Sequence, residues 1–417
     1  MKVYRFFFGF LRGVPAKNCR QAFQGSGFRL HCYASLRNGF ISRPSNPSRK
    51  SKSLVHKILF LSYNKAMKQE FTSRLEQIEL SLQKILPQEL NGSWKELSFG
   101  KIDSCINQEH ISVLTQPCAH LVSLGGKRWR PLLLVLCAQM TAQAKKTDVD
   151  STKAYGLTPL VEFAHTASLI HDDIEDGADT RRGKPCAHIS YGMDVAINAG
   201  SWLYFEAPTA IKALSLSSDE KLRLYELFLQ ELRLLHLGQA MDIKWHRNPD
   251  LIPSTEEYTA MVRNKTGTLA RLAVKLGILA GGGTDSEIEE AGKIAQDIGV
   301  AFQIIDDVKN LTTGNPGKKR GDDIVEGKKS LPVLLHLQKN PQDEKILAQY
   351  FTQAKNEGIE SPAVEKAIQL LTQSGAVEQA AKKGSELVTQ KSQELALFYG
   401  SKTEIGTLIE ELFNSMR

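Results

Sequence analysis

Ala167-Ser168-Leu169-Ile170-His171-Asp172-Asp173-Ile174-Glu175-Asp176 runs from an apolar stretch straight into a cluster of carboxylates. Asp172 and Asp176 are four residues apart, so on a helix both project from one face, one turn from each other. Like charges so placed destabilise a helix unless something positive binds them. A second stretch, Phe302-Gln303-Ile304-Ile305-Asp306-Asp307-Val308-Lys309-Asn310, repeats the arrangement. Either pair alone reads most simply as a solvated acidic helix end. The apolar runs in front of them change that reading, because such runs bury. The carboxylates then stand where two helices leave the core and open into a cavity.

Outward from these stretches the pattern is helical. Residues 71–85, 132–140, 157–174, 221–243, 255–279, 287–308 and 331–337 space their apolar side chains for helices, and 363–416 reads as two or three more. No alternating runs are bounded by hairpin turns, so strands are not expected. Nor is there an internal repeat of roughly 20–50 residues. Breaks fall at Pro185-Cys186, Asn248-Pro249, Gly281-Gly282-Gly283 and across 312–330. No composition shift divides residues 60–417, which predicts an all-α fold in one large domain.

Of the 53 Lys and Arg residues, fourteen fall within residues 1–69, which hold no acid. The rest of the chain carries 39 basic against 46 acidic side chains, so the net charge of +7 conceals a folded part at −7. That excludes the nucleic-acid partner a basic chain would suggest. Residues 1–55 are rich in Arg, Ser and Phe and lack a periodic apolar face, which suits a disordered organellar transit segment. The opening Phe6-Phe7-Phe8-Gly9-Phe10-Leu11 is also compatible with a short signal-like segment. A mitochondrial location is the expectation, with a plastid-type organelle, or the cytoplasm behind a misassigned start, as alternatives. The longest apolar run, 131–140, falls short of the ~18 residues that would span a bilayer, so the chain is not expected to be integral to a membrane. Six cysteines show neither Cys-x-x-Cys nor zinc spacing. Cys105, Cys118, Cys137 and Cys186 are expected to be small buried hydrophobes.

Oxygen-only ligands on one helix face suit Mg²⁺, which keeps several waters and is completed by substrate phosphates. Cations placed for phosphate strengthen that reading. Gly125-Gly126-Lys127-Arg128-Trp129-Arg130-Pro131 sets Lys127 and Arg130 three apart at a helix start, a natural anion site. Arg181 and Arg182 follow Asp176 by five and six residues, and Lys265-Thr266 and Lys318 add more. Arginine offers a planar fork for phosphate oxygens, lysine a point charge.

Together these motifs resemble the trans-isoprenyl diphosphate synthases, the polyprenyl synthetase family. The resemblance runs from about residue 125 to 332. It includes Gly-Gly-Lys-Arg-x-Arg-Pro at 125–131, His165 seven residues before Asp-Asp-x-x-Asp at 172–176, and Arg181-Arg182-Gly183. Gly238-Gln239, Lys265-Thr266, Phe302-Gln303, Asp306-Asp307, Gly317-Lys318-x-x-Gly321-x-Asp323 and Gly327-Lys328 follow in the family's order. The resemblance implies a single helical bundle around a central active-site cavity, usually a homodimer. It implies condensation of an allylic diphosphate with isopentenyl diphosphate, releasing diphosphate.

By the same resemblance, Asp172, Asp173 and Asp176 with Asp306 and Asp307 would hold magnesium, usually three ions. Asp172, Asp176, Arg181, Lys265 and Asp306 would carry the catalysis. Arg181, Lys265, Thr266, Gln303, Lys318 and Lys328 would hold the allylic diphosphate, and Lys127, Arg130, His165 and Arg182 that of isopentenyl diphosphate. Two positions depart from the common pattern: Asn310 ends the second motif where Asp is usual, and Ser201 stands where many relatives carry Asp. Weaker metal binding is the expected consequence of Asn310. A terpene cyclase would need no isopentenyl pocket, and a non-catalytic subunit would be expected to lose acidic ligands; both remain alternatives.

The growing product tail should run along the helix that carries Asp172. Ser168, Ala167 and Ala164, four, five and eight residues earlier, face that channel, and one helical turn of about 5.4 Å is close to one isoprene unit. All three are small, where short-chain relatives carry aromatic rings at the first two positions. A product of geranylgeranyl length or longer is expected.

Overall fold

The structure, a computed structural model, describes residues 69–314 and 319–416. The expected transit segment over 1–55 and the candidate Lys318 lie outside the described residues. A helix over residues 69–85 (α1) leads into α2 (Gly92–Phe99), α3 (Gln108–Ser123), α4 (Trp129–Lys145), α5 (Ser151–Gly156) and α6 (Thr158–Glu175). A minimal ladder of β1 (Thr180–Arg181) and β2 (Lys184–Pro185) precedes α7 (Ala187–Tyr191), α8 (Met193–Glu206), α9 (Thr209–Lys212) and the long α10 (Ser218–His246). Then come α11 (Thr255–Lys265), α12 (Gly267–Ala280), α13 (Asp285–Thr312), α14 (Asp322–Glu326), α15 (Leu331–Lys339), α16 (Glu344–Glu357), α17 (Pro362–Gln373), α18 (Ala376–Ala396) and α19 (Glu404–Asn414).

The bundle is organised around α12, in which every residue from Gly267 to Leu279 is buried. A helix buried all round is stable only inside other helices; α4, α10 and α13 supply that jacket, and its two charges, Arg271 and Lys275, are paired with Glu231 of α10. Close approach needs small residues at the contacts. A Cβ on Gly277 would lie 2.5 Å from the Leu134 carbonyl of α4, and one on Gly299 of α13 would lie 2.5 Å from Gly267 Cα. Around this axis α6 packs on α8, and α13 on α18. A separate apolar cluster built on Leu311, Leu347, Phe351 and Ile368 joins the end of α13 to α14–α17. Ser217, Ser254 and Thr284 each cap a helix through a box closed by Glu220, Glu257 and Glu287, which satisfies backbone donors at the starts of α10, α11 and α13.

The all-α expectation is met, with three particulars revised. The predicted helix over 255–279 is two helices, broken at Lys265 and Thr266. Gly238 explains the tight contact there, since a Cβ on it would stand 2.3 Å from the Lys265 backbone nitrogen. The small hairpin was not expected. Its two-residue loop, Arg182-Gly183, has positive φ at both positions (53° and 74°), the geometry two-residue hairpins favour. Cys118, Cys137 and Cys186 are buried as expected, but Cys105 is exposed in the α2–α3 connection. No described helix is long and apolar enough to cross a membrane.

Gly277→Ala tests the close contact at the axis. The added methyl must push against backbone, so the variant should lose about 1–3 kcal/mol in urea denaturation, the usual cost of overpacking a core.

Candidate active site

One cavity of about 730 Å³ gathers most of the candidate residues. Asp172 reaches it from α6, Lys265 and Thr266 from the α11–α12 break, Gln303, Asp306 and Asp307 from α13, and Lys328 from the turn after α14. Lys127, Arg130, His165 and Arg181 line it as well. Leu169, Leu235, Leu269 and Ile305 give the wall its apolar surface.

The carboxylates are countered by amines. Lys265 Nζ lies 2.6 Å from Asp242 Oδ2 and 3.3 Å from Asp172 Oδ1. Burial alone would lower its pKa, yet Asp172 and Asp242 hold it above the ordinary lysine value. Gln239 Nε2 donates to Asp172 Oδ1 at 3.1 Å and also bonds Glu175. Asp176 sits at the C-terminal cap of α6, does not line the cavity, and has Lys328 Nζ 3.6 Å away. Lys328 also pairs with Glu326, and these charges keep its pKa well above the usual value despite burial.

The second member of each Asp pair is held differently from the first. Asp173 is buried, does not line the cavity, and accepts both Arg181 Nε at 2.8 Å and Arg181 Nη2. Asp307 accepts Tyr258 Oη at 2.8 Å, Gln303 Nε2 at 2.9 Å and the Leu331 amide at 3.4 Å. Burial, with Asp306 beside it, still pushes its carboxyl above the ordinary range. Thr266 Oγ1 donates to Gln303 Oε1 at 2.7 Å, so the helix break and the second motif share one hydrogen-bonded chain. The five aspartates are thus placed differently: Asp173 is paired internally with Arg181, while Asp307 lines the cavity and also accepts bonds from Tyr258 and Gln303.

A second group surrounds the start of α4. Arg128, in a left-handed conformation (φ 46°), is buried and pairs with Glu79 at 2.7 Å and Glu162 at 2.6 Å. That anchor fixes the backbone between Lys127 and Arg130. The Arg130 guanidinium stacks over Trp129, 4.4 Å from the ring centre, and Nη1 donates to His165 Nε2 at 3.3 Å. Burial lowers Arg130 to about 10, leaving it charged at neutral pH. Burial and Arg130 lower His165 to about 4, so its ring is neutral there. With Nε2 accepting from Arg130, the proton rests on Nδ1, facing Glu162 Oε1 at 3.8 Å. Arg182 differs from its expected partners. It does not line the cavity but donates to the Gly125 carbonyl, its guanidinium filling the space where a Gly126 side chain would stand.

Ser168 lines the cavity, whereas Ala164 and Ala167 are fully buried away from it. His171, one turn beyond Ala167, covers that stripe. Its Nδ1 lies 2.9 Å from the Ala167 carbonyl and its Nε2 3.2 Å from Ser201 Oγ, while its ring stacks on Tyr204. Tyr204 in turn meets His236 edge-on, with ring centres 5.2 Å apart. Gly200 leaves the room this requires, since its Cβ would fall 2.8 Å from His171 Cε1. Ser201 thus has a definite part, steadying the His171 ring. A single-helix reading had no means to find Tyr204 or His236, which come from α8 and α10.

Residues 111–371 match the polyprenyl synthetase family model. A geranylgeranyl pyrophosphate synthase of Gibberella zeae is 35% identical over 253 residues, covering 59% of this chain and 64% of that one, just under two thirds. One from Macrophomina phaseolina is 34% identical over 289 residues, covering 69% of this chain and 83% of that one. Among solved structures, the geranylgeranyl pyrophosphate synthetase of Pyrococcus horikoshii superposes with a TM-score of 0.69 at 26% identity, over 85% of this chain and 98% of that one. With the family model spanning more than half of the chain, this protein belongs to the polyprenyl synthetase family.

Proposed function

We propose that this chain condenses allylic diphosphates with isopentenyl diphosphate, releasing diphosphate, to make geranylgeranyl or a longer polyprenyl diphosphate. The observation that carries this reading is the juxtaposition of Asp172 and Asp306, from two helices, with two separate groups of cations in one cavity. One diphosphate is held by Lys265, Gln303, Arg181 and Lys328; the other by Lys127, Arg130 and His165. A terpene cyclase has no use for the second group.

The donor set fits a divalent cation of the hard, oxygen-seeking kind, and Mg²⁺ is the proposed ion, which Asp172 and Asp306 on the cavity wall, with Asp176 one turn from Asp172, would hold. Among the described residues no three such side chains converge at ligand distance; substrate phosphates and water would have to complete the ion's coordination. When bound, it would neutralise charge on the allylic diphosphate.

The chain's own residues do the rest. As the allylic C–O bond breaks, its electron pair leaves with the diphosphate, and Lys265, Arg181 and Lys328 stabilise the negative charge that grows there. Lys127 and Arg130 hold the isopentenyl diphosphate so that its double bond faces the allylic carbon, supplying the electrons of the new C–C bond. A proton next to the resulting cation passes to an oxygen of the departed diphosphate. Leu169, Leu235 and Leu269 keep water from capturing the cation first.

The floor of the tail channel is assigned to His171, Tyr204 and His236. An exposed apolar face supports a homodimer: Ile189, Met193, Ile197 and Phe205 on α7–α8, with Leu222, Leu229 and Leu237 on α10, are all exposed, Phe205 by 77%. Such a face on a folded chain marks an interface. The acid-free residues 1–55 support a mitochondrial location.

Asp172→Ala and Asp306→Ala should each lower kcat by about 10²–10³-fold or more with the helical circular dichroism unchanged, as removal of one transition-state contact does. Near-normal turnover in either variant would remove the basis of the metal–diphosphate reading. Lys127→Ala should raise KM for isopentenyl diphosphate at nearly constant kcat, the signature of lost uniform binding; a rise in the allylic KM instead would exchange the two pockets. Tyr204→Ala should lengthen the product by at least one isoprene unit in chromatography of the dephosphorylated alcohols. An unchanged product would place the floor elsewhere.

A further inference from the structure

Asn310 occupies the place where an aspartate would be a candidate ligand, yet it does not line the cavity and is 1% exposed. Its contacts run the other way, to the segment that carries Lys328. Asn310 Oδ1 accepts the Asp323 amide at 3.2 Å, and the Asn310 backbone carbonyl accepts the Gly321 amide at 2.9 Å. The Asp323 carbonyl accepts the Lys328 amide, also at 2.9 Å. One residue, Asp323, thus links the Asn310 side chain to the backbone of Lys328. Lys328 Nζ then faces Asp176 and Asp323, each at 3.6 Å.

We propose that Asn310 is a positioning residue, whose side-chain carbonyl fixes the turn after α14 so that the second-motif helix sets where Lys328 stands against Asp176 of the first. The two Asp motifs are then coupled mechanically through protein, independently of any ion they share. The segment is braced from its far side too. A Cβ on Gly321 (φ 92°) would sit 2.4 Å from Val364 of α17, and Lys329 Nζ donates to the Gly327 carbonyl at 2.9 Å while lying 4.5 Å over the Phe351 ring.

The choice of Asn over Asp follows from charge. Asp307, one turn earlier on α13, is buried, and so is Asp323. A carboxylate at 310 would keep the acceptor for the Asp323 amide but add a further negative charge between them. The amide offers the same acceptor without charge. Its Nδ2 is buried and has no hydrogen-bond partner among the described residues, so the acceptor is the half of the side chain that is used.

The proposal rests on the reading that Lys328 holds the allylic diphosphate, and the test separates the two. Steady-state kinetics with farnesyl diphosphate, isopentenyl diphosphate and Mg²⁺ varied in turn would be compared for the wild type, Asn310→Ala, Asn310→Asp and Lys328→Ala. Loss of one buried acceptor in Asn310→Ala should raise the allylic KM about tenfold, leaving the isopentenyl KM and the Mg²⁺ half-saturation unchanged. Hydrogen exchange at the Asp323 amide should quicken in the same variant. Asn310→Asp keeps the acceptor, so the allylic KM and Mg²⁺ half-saturation should stay near wild type while Tm falls. Tighter Mg²⁺ binding in Asn310→Asp would make 310 a ligand position and overturn the proposal. So would an unchanged allylic KM in a folded Asn310→Ala enzyme, or an equal rise in both KM values. Should Asn310→Ala not fold, slow Asp323 exchange with an unchanged allylic KM in Asn310→Asp supports the proposal, and fast exchange there overturns it. Lys328→Ala with an unchanged allylic KM would instead sink the reading beneath the proposal.

Discussion

Carboxylates held against the wall of a partly apolar cavity are expensive unless cations stand beside them, and the architecture of this protein follows from meeting that requirement. Asp172 is countered by Lys265, and Asp176 by Lys328. Neither lysine is near its aspartate in sequence. The arrangement stores attraction that a diphosphate with its divalent cation can take over. On the proposed function, the same lysines that stabilise the buried carboxylates would stabilise the charge of the leaving diphosphate.

Placing those lysines is the work of the helices around α12. Lys265 reaches the cavity because the helical run breaks at Thr266, and the break lies close to α10 because Gly238 has no side chain there. Lys328 reaches it because the short α14 is pinned to the end of α13. Arg128 plays the corresponding part at the opening of α4. By pairing with Glu79 and Glu162 it fixes the loop on which Lys127 and Arg130 depend. Residues outside the cavity therefore hold the ones that line it.

The tail channel obeys a different physics, that of volume and packing. His171, Tyr204 and His236 form a contiguous aromatic group from three helices, and the ring of His171 is fastened at both nitrogens. Ala167 and Ala164 on the same helix are fully buried and do not line the cavity. On the proposed function, product length would depend on rings contributed by neighbouring helices and not only on the helix that bears the first motif.

Much of this was legible in the chain itself. Helical periodicity is a local property, so the all-α class and most helix positions could be read without partners. Motif spacing is also local, and it brought Asp172, Asp306, Lys127, Arg130, His165, Arg181, Lys265, Thr266, Gln303 and Lys328 forward as site residues; each of them lines the one cavity. What a single sequence cannot carry is direction across space. That Asp173 turns away from the cavity to Arg181, that Asp307 accepts from Tyr258, that Arg182 folds back on Gly125, and that Asn310 faces Asp323 depend on atoms far apart along the chain. The sequence determined which chemical groups the protein owns and how they recur along its helices. Only the tertiary structure decided which of them meet, because ion pairing, ring stacking and steric closure act over a few ångströms of space whatever the distance along the chain.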